Sequence, residues 1–349
     1  MRLGCPCFLL SRAQLARFAD DPDLPDATRE ACRRTLSHEP GWREVRVAYQ
    51  SASRKARQSG FMGLNTLANA PDVAVFDCKG KTSLPGRPIP DPATSDDPTA
   101  RRVFEQTTRA ARFLAEAFGR NSLDNAGMTL VSSIHLADKL VNAYWDGSQM
   151  TYGDADGALL LDFTLAGDVI AHELAHGVTQ FTAGFEYVYG EPGALNESMS
   201  DVFAIMYRHW CAKDDAATAT WTIGSEIIGP AAKARGLTCM RDMADPGGSH
   251  CAAPQPDHMR EFLPGGDPHA NSGIPNKAFQ LVARTMGGPS WDRAGRIWYA
   301  AMLDDATKPD ATFKDFAKRT RSHARKLFDD GPELAAVIAA WKAVGVLKS

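Results

Sequence analysis

The run His172-Glu173-Leu174-Ala175-His176 constrains this chain of 349 residues more than any other feature in it. Ile170, Leu174 and Val178 form an apolar stripe at helical spacing. Gly167-Asp168 supplies a start signal and Gly184 lies just past the end, so the run is predicted to sit inside one helix. Residues four apart on a helix are neighbours, about 5–6 Å apart at Cβ, and both imidazoles can therefore reach one ion. Two nitrogen donors suit zinc. Glu173 is displaced around the helix from the two histidines, which lets its carboxylate reach a water beside the metal rather than the metal itself.

A His-Glu-x-x-His string also arises by accident on ordinary surface helices, so a third ligand is needed. The run Asn196-Glu197-Ser198-Met199-Ser200-Asp201 offers one, because Glu197 and Asp201 are again four apart on a predicted helix. Glu197 completes a His₂Glu set with one coordination position left open. Asp201 can accept a hydrogen bond from a ligand imidazole and fix its tautomer. Alone, these two would read as solvated carboxylates; beside the histidine helix they read as a site.

The rest of the chain divides by class. Leu15, Phe18, Ala31 and Leu36 give residues 1–50 a helical character, broken between Asp21 and Pro25. Val73-Ala74-Val75-Phe76 and the run from Met128 to Leu136 read as strands. Pro98 to Phe118 reads as a helix closed by Gly119, with Val103, Thr107, Ala110, Phe113 and Leu114 on one face. Beyond Asp168 helices are predicted near 169–182, 195–209, 276–286, 291–304, 312–328 and 332–343.

Charge and composition exclude several functions. With 39 Lys and Arg against 42 Asp and Glu and no basic run, nothing draws in a nucleic acid. Apolar stretches such as Gly157 to Leu161 and Ala335 to Trp341 are far shorter than the ~18 to 20 residues that span a bilayer. The apolar run at Cys5 to Leu10 is too short for the core of a secretory signal. Cytoplasmic synthesis with nonclassical release is the expectation, and an extracellular place of action stays open. Seven cysteines form no disulfide framework, although Cys239 and Cys251 are close enough in sequence to pair.

The stretch from Gly167 to Met206 resembles the catalytic core of the thermolysin family of neutral zinc metallopeptidases. The likeness extends to Phe118–Asp124, Asn142–Met150 with Tyr152-Gly153-Asp154, Trp221–Gly224, Met240–Pro246 and His269–Asn276, and so from about residue 58 to the C-terminus. It implies an α+β protein: a β-rich mixed N-terminal domain, an all-α C-terminal domain, and the zinc helix at the floor of the cleft between them. The implied divisions are a short pro-segment at 1–50, a mixed catalytic domain at 51–183 ending in the zinc helix, and a helical domain at 184–349. The implied activity is a zinc endopeptidase acting on peptides and proteins.

Position by position, the resemblance implies His172, His176 and Glu197 as zinc ligands, Glu173 as general base and Asp201 as the carboxylate behind the first imidazole. It implies Tyr187 and His269 as donors to the developing oxyanion, and Arg241 as the group holding the carbonyl beyond the scissile bond. Asn142 and the backbone of Ala143 are the implied edge that pairs with a bound peptide. Leu160, Phe163, Val169 and Met240 would line an apolar pocket for the residue after the cleaved bond. The competing readings are a zinc-stapled interaction protein without hydrolytic activity, and an aminopeptidase with a cleft closed at one end.

Two departures from the family pattern carry expectations. Of the positions that bind paired calcium ions in relatives, only Asp168 and Glu226 match, while Arg208, Thr220, Thr222 and Ser225 replace the others; the double calcium site is expected to be absent. The aspartate that relatives place five residues before the catalytic histidine is missing, and Asp267 is the candidate substitute. Residues 1–50 resemble the short pro-segments of the protealysin-like subgroup. This segment is expected to lie in the cleft until clipped between Val45 and Ser59, with Cys5 or Cys7 able to ligate the zinc.

Overall fold

The structure, a computed structural model, describes residues 7–38, 70–187 and 189–348. Cys5, the side chain of Cys7 and the expected clip region between Val45 and Ser59 lie outside the described residues.

The first half is built on a six-stranded sheet in the order β1-β5-β6-β4-β2-β3. The strands are β1 (Cys7–Phe8), β2 (Val73–Asp77), β3 (Arg87–Pro88), β4 (Leu130–Ile134), β5 (Ala143–Trp145) and β6 (Met150–Tyr152). β2 and β4 run parallel, which demands a crossover, and a long helix between them supplies it. That helix, counted third below, is α3 (Pro98–Phe118). Asp97 caps it by accepting from Thr99 N at 2.8 Å, Pro98 needs no N–H partner at its start, and Gly119 ends it at φ 62°. β5 and β6 form a hairpin whose turn is held by Asp146, its carboxylate accepting from Ser148 N and Gln149 N at 2.7 and 2.9 Å.

The described part of the first fifty residues holds two helices, α1 (Arg12–Asp20) and α2 (residues 26–38), as the periodicity predicts. It also holds β1, which the periodicity does not reveal. β1 lies antiparallel on β5 at the edge of the sheet, Phe8 facing Tyr144. Ser11 then stops the strand and starts α1 through a capping box with Gln14.

Helices make up most of the second half: α4 (Gly167–Gln180), α5 (Glu191–Ala212), α6 (Pro230–Lys233), α7 (Pro268–Asn271), α8 (Gly273–Met286), α9 (Arg293–Leu303), α10 (Phe313–Phe328) and α11 (Pro332–Ala343). A two-stranded ladder, β7 (Thr222–Ile223) with β8 (Arg241–Asp242), interrupts them. Trp298 of α9 and Trp341 of α11 stack at 6.1 Å between centroids and anchor the core of the helical half. Among the described residues no helix is long and apolar enough to cross a membrane.

α4 joins the two halves. It packs most extensively on α5 and also touches α3 and β5, and every residue from Asp168 to Gln180 is buried. Gly177 is what lets the sheet approach: a Cβ there would come within 2.6 Å of Leu123 and 3.3 Å of Trp145. The helix starts at Gly167 behind an Ala166 cap that offers no side chain, so Asp168 is not the cap its position suggests. Its carboxylate instead takes Arg208 at 2.8 Å and Gly224 N at 3.2 Å. The chain is α+β, mixed sheet first and helices second, with α4 at the floor of the cleft between them.

Candidate active site

α4 and α5 lie antiparallel, and their four-residue repeats interlock. His172 and His176 on α4 meet two pairs on α5 in reverse order. His172 Nδ1 is 2.8 Å from Asp201, and His176 Nδ1 is 2.8 Å from the Asn196 carbonyl oxygen and 3.0 Å from Ser200 Oγ. The Asn196 amide nitrogen donates to Phe185 O at 2.9 Å, so its oxygen faces the imidazole and must accept from it. Both imidazoles thus carry their proton on Nδ1 and turn Nε2 inward.

Glu197, between those pairs, faces both inner nitrogens. Its carboxylate oxygens stand 3.4 Å from His172 Nε2 and 3.5 Å from His176 Nε2. The donor atoms of the three residues all lie within 4.8 Å of one another in a fully buried position. Among the described residues His172 Nε2 and Glu197 Oε2 have no hydrogen-bond partner, which in a buried site is costly unless a ligand satisfies them. Two imidazoles and one carboxylate converging on one point fit a divalent zinc ion. Burial alone would raise the Glu197 carboxyl, but His269, His176 and His172 outweigh it and hold it well below the usual carboxylate range.

Asp201 is shared. It accepts hydrogen bonds from His172 Nδ1–H at 2.8 Å, from the Arg241 guanidinium at 2.7 to 3.2 Å and from the Asn276 amide at 2.8 Å. Burial opposes its charge, yet Arg241 and His172 hold its pKa at about 2. Glu173 is the opposite case. Trp145 N donates to one of its oxygens at 3.1 Å, the other has no hydrogen-bond partner among the described residues, and burial pushes the carboxyl up to about 8 against the pull of His172.

Tyr187 and His269 close the other side. The Tyr187 hydroxyl donates to Glu197 and lies 3.5 Å from His269 Nε2. His269 Nδ1 is 2.6 Å from Asp267, whose carboxylate also caps α7 by accepting from His269 N at 3.0 Å. Asp267 therefore sits where it orients the imidazole, two residues away instead of five.

The N-terminal strand runs through this site. Leu9 N donates to Ala143 O at 3.0 Å, and the Asn142 side chain makes paired bonds to Leu10, to its N–H and to its carbonyl, both at 3.0 Å. His269 Nε2 hydrogen-bonds the Phe8 carbonyl, and Arg241 reaches the Leu9 carbonyl at 3.4 Å. Phe8 packs edge-on against Tyr144, while Leu9 and Leu10 are fully buried on the main core.

Comparison with known proteins decides the family. Residues 100–180 match the catalytic domain of the thermolysin metallopeptidases and residues 183–346 match their alpha-helical domain. The chain belongs to the thermolysin metallopeptidase family. It is 40% identical to Protease PrtS of Photorhabdus sp. over 78% of this chain and 76% of that one. It is 37% identical to an extracellular metalloprotease of Pectobacterium carotovorum subsp. carotovorum over 78% and 80%. Among solved structures, the precursor of protealysin, a metalloproteinase from Serratia proteamaculans, superposes with a TM-score of 0.83 at 32% identity, covering 97% of this chain and 99% of that one.

A thermolysin-like zinc metalloendopeptidase accounts for the residues foreseen from the sequence. Of these, His172, His176 and Glu197 converge on one point, Asp201, Tyr187, His269 and Arg241 are linked to them by hydrogen bonds or close contacts, and Asn142 and Ala143 bond the N-terminal strand. Leu160, Phe163, Val169 and Met240 are each buried. The sequence did not single out Asn196, Ser200 and Asn276. The first two stand four apart beside Glu197 and Asp201, a repeat that was available to be read.

Proposed function

We propose that the chain is a latent form of this peptidase, in which residues 7–10 lie in the cleft as a substrate would. His172, His176 and Glu197 hold the zinc, which when bound polarises a carbonyl and acidifies a water. Glu173 stands beside the ligands and takes the proton of the attacking water, then passes it to the leaving amine. Its buried carboxyl is a stronger base than an exposed one. Negative charge gathers on the carbonyl oxygen, and the Tyr187 hydroxyl and His269 donate to it. Asp201 and Asn196 keep the two imidazoles turned inward, and Asp267 keeps His269 Nε2 facing the cleft.

The observation that carries this reading is the register of the pro-segment. Phe8 offers its carbonyl to His269 and Leu9 offers its own to Arg241, so the Phe8–Leu9 bond stands at the reacting centre. Chain continues on both sides of that bond, which favours an endopeptidase over an aminopeptidase. A staple without activity has no use for Glu173 or for an oxyanion donor. Leu160, Phe163, Val169 and Met240, all buried and apolar, are the proposed lining for the residue after the cleaved bond, which supports cleavage before bulky hydrophobic residues. The relative described as extracellular supports action outside the cell.

Protein clipped between Val45 and Ser59 is expected to digest casein and to lose that activity in phenanthroline, whereas the intact chain is slower by at least about tenfold. Equal rates before and after clipping would remove the latency. Clipped protein with no chelator-sensitive activity would remove the peptidase reading.

The calcium expectation becomes a proposal of its own. Arg208 spans Asp168 at 2.8 Å and Glu226 at 3.1 Å, so a guanidinium sits between the two carboxylates that match the calcium site. Adding calcium after chelation should move Tm by no more than about 2 °C, less than ~1 kcal/mol for a chain of this size. A shift of ten degrees or more would contradict it.

A further inference from the structure

The loop after β8 folds back on the residues before it. Thr238 N donates to His250 O at 2.9 Å, Ala252 N to Cys239 O at 2.9 Å and Ala253 N to Met240 O at 3.0 Å, forming a short parallel bridge. The bridge sets Cys239 and Cys251 side by side, both buried, with their sulfurs 3.8 Å apart. His250 turns toward them, and one ligand atom from each of the three residues lies within 4.8 Å of the others. Gly248 makes room for the ring: a Cβ there would come within 2.3 Å of its Cε1 and 2.6 Å of its Nδ1. Asp242 stands 3.2 Å from His250 Nε2, close enough to orient the imidazole or to join the donor set.

A disulfide would draw the sulfurs to about 2.05 Å. Two thiolates on one tetrahedral zinc, each at about 2.3 Å, stand ~3.8 Å apart. We infer that Cys239, His250 and Cys251 bind a second zinc ion, separate from the one at His172, His176 and Glu197. Both thiols give up their protons to solvent when the ion enters, so the net charge of the loop is unchanged by the exchange. The donor set, two sulfurs and an imidazole, selects a thiophilic metal over calcium or magnesium.

The ion would pin a loop that two other parts rely on. Arg241 lies between Cys239 and Asp242 in sequence, and Ala252 O accepts from Arg17 of α1 at 2.7 Å. The rim of the cleft and a foothold of the pro-segment are thereby tied to one metal.

The test uses the full-length chain purified under a phosphine reductant. Metal analysis is expected to give about two zinc ions per chain, falling to about one in Cys239→Ser and in Cys251→Ser, with circular dichroism checking the fold of each. Cobalt exchange is made in the full-length chain carrying Cys5→Ser and Cys7→Ser, which leaves the His172 site without a pro-segment thiol: a thiolate-to-cobalt charge-transfer band is still expected from that chain. Loss of that band in Cys239→Ser assigns it. One zinc per chain and no such band would overturn the inference. So would a Cys239–Cys251 disulfide found by peptide mapping of the reduced preparation, or a band that persists in both variants.

Discussion

His172, His176 and Glu197 come from two long helices and are buried to the last atom, whereas Cys239, His250 and Cys251 come from one loop and leave the imidazole about 33% exposed. In the helical cluster each histidine has a partner behind it, Tyr187 bonds Glu197, and His269 bonds the Phe8 carbonyl. In the loop cluster the three side chains face each other, with Asp242 beside the imidazole and no carboxylate base or oxyanion donor among the residues described around them. What separates a chemical metal centre from a holding one is therefore not the ligands alone but whether a base and oxyanion donors converge on the same point.

The strongest way to break this contrast is to remove an oxyanion donor. Tyr187→Phe keeps the ring and loses the hydroxyl, and should lower kcat of the clipped enzyme by about 10²–10³, or ~2.7 to 4 kcal/mol of barrier, with little change in KM. An unchanged kcat would mean that Tyr187 serves only Glu197.

Metal affinity sharpens the same contrast. Asn196→Ala removes the acceptor behind His176 and should weaken zinc at the helical cluster by about 10–100-fold, read by competition with a chromogenic chelator. Asp201 is the poorer choice, because its loss leaves the Arg241 guanidinium buried and unpaired, at a cost of ~3–5 kcal/mol that confounds the reading. Zinc affinity unaltered in Asn196→Ala would contradict the tautomer argument.

The smallest effect comes from a histidine that belongs to neither cluster. His135 is hydrogen-bonded to Asp154 at 2.6 Å and to Asp97 at 2.8 Å, and these carboxylates raise its pKa to about 9 despite partial burial. A folded-state value above the unfolded one means that the stabilisation is complete below about pH 6.5 and disappears as pH rises through about 9. The Tm difference between the wild type and His135→Asn should accordingly be largest near pH 6 and close to zero at pH 10. A difference that grows with pH would refute it.

The sequence made the helical cluster legible because period 3.6 turns a five-residue string into geometry. α3 was legible for the same reason, with Asp97, Pro98 and Gly119 marking both ends. β1, β5 and β6 were not, since strands of two or three residues have no alternation to read. Asp168 looked like a cap but bonds Arg208 and Gly224, because a tertiary ion pair outcompetes a local one. Tyr187, His269 and Arg241 sit in loops or short elements far apart in the chain, where no periodicity links them to α4. Only resemblance to a family pointed to them. The loop cluster lay hidden in the same way, as two cysteines close enough in sequence to pair and a histidine with no pattern around it.

In the proposed mechanism Glu173 moves the proton at a zinc held by three other residues. Clipped Glu173→Gln answers it directly: the account predicts zinc content equal to the unaltered enzyme and peptide hydrolysis slower by about 10²–10⁴. Hydrolysis at the unaltered rate with that zinc still bound would contradict it.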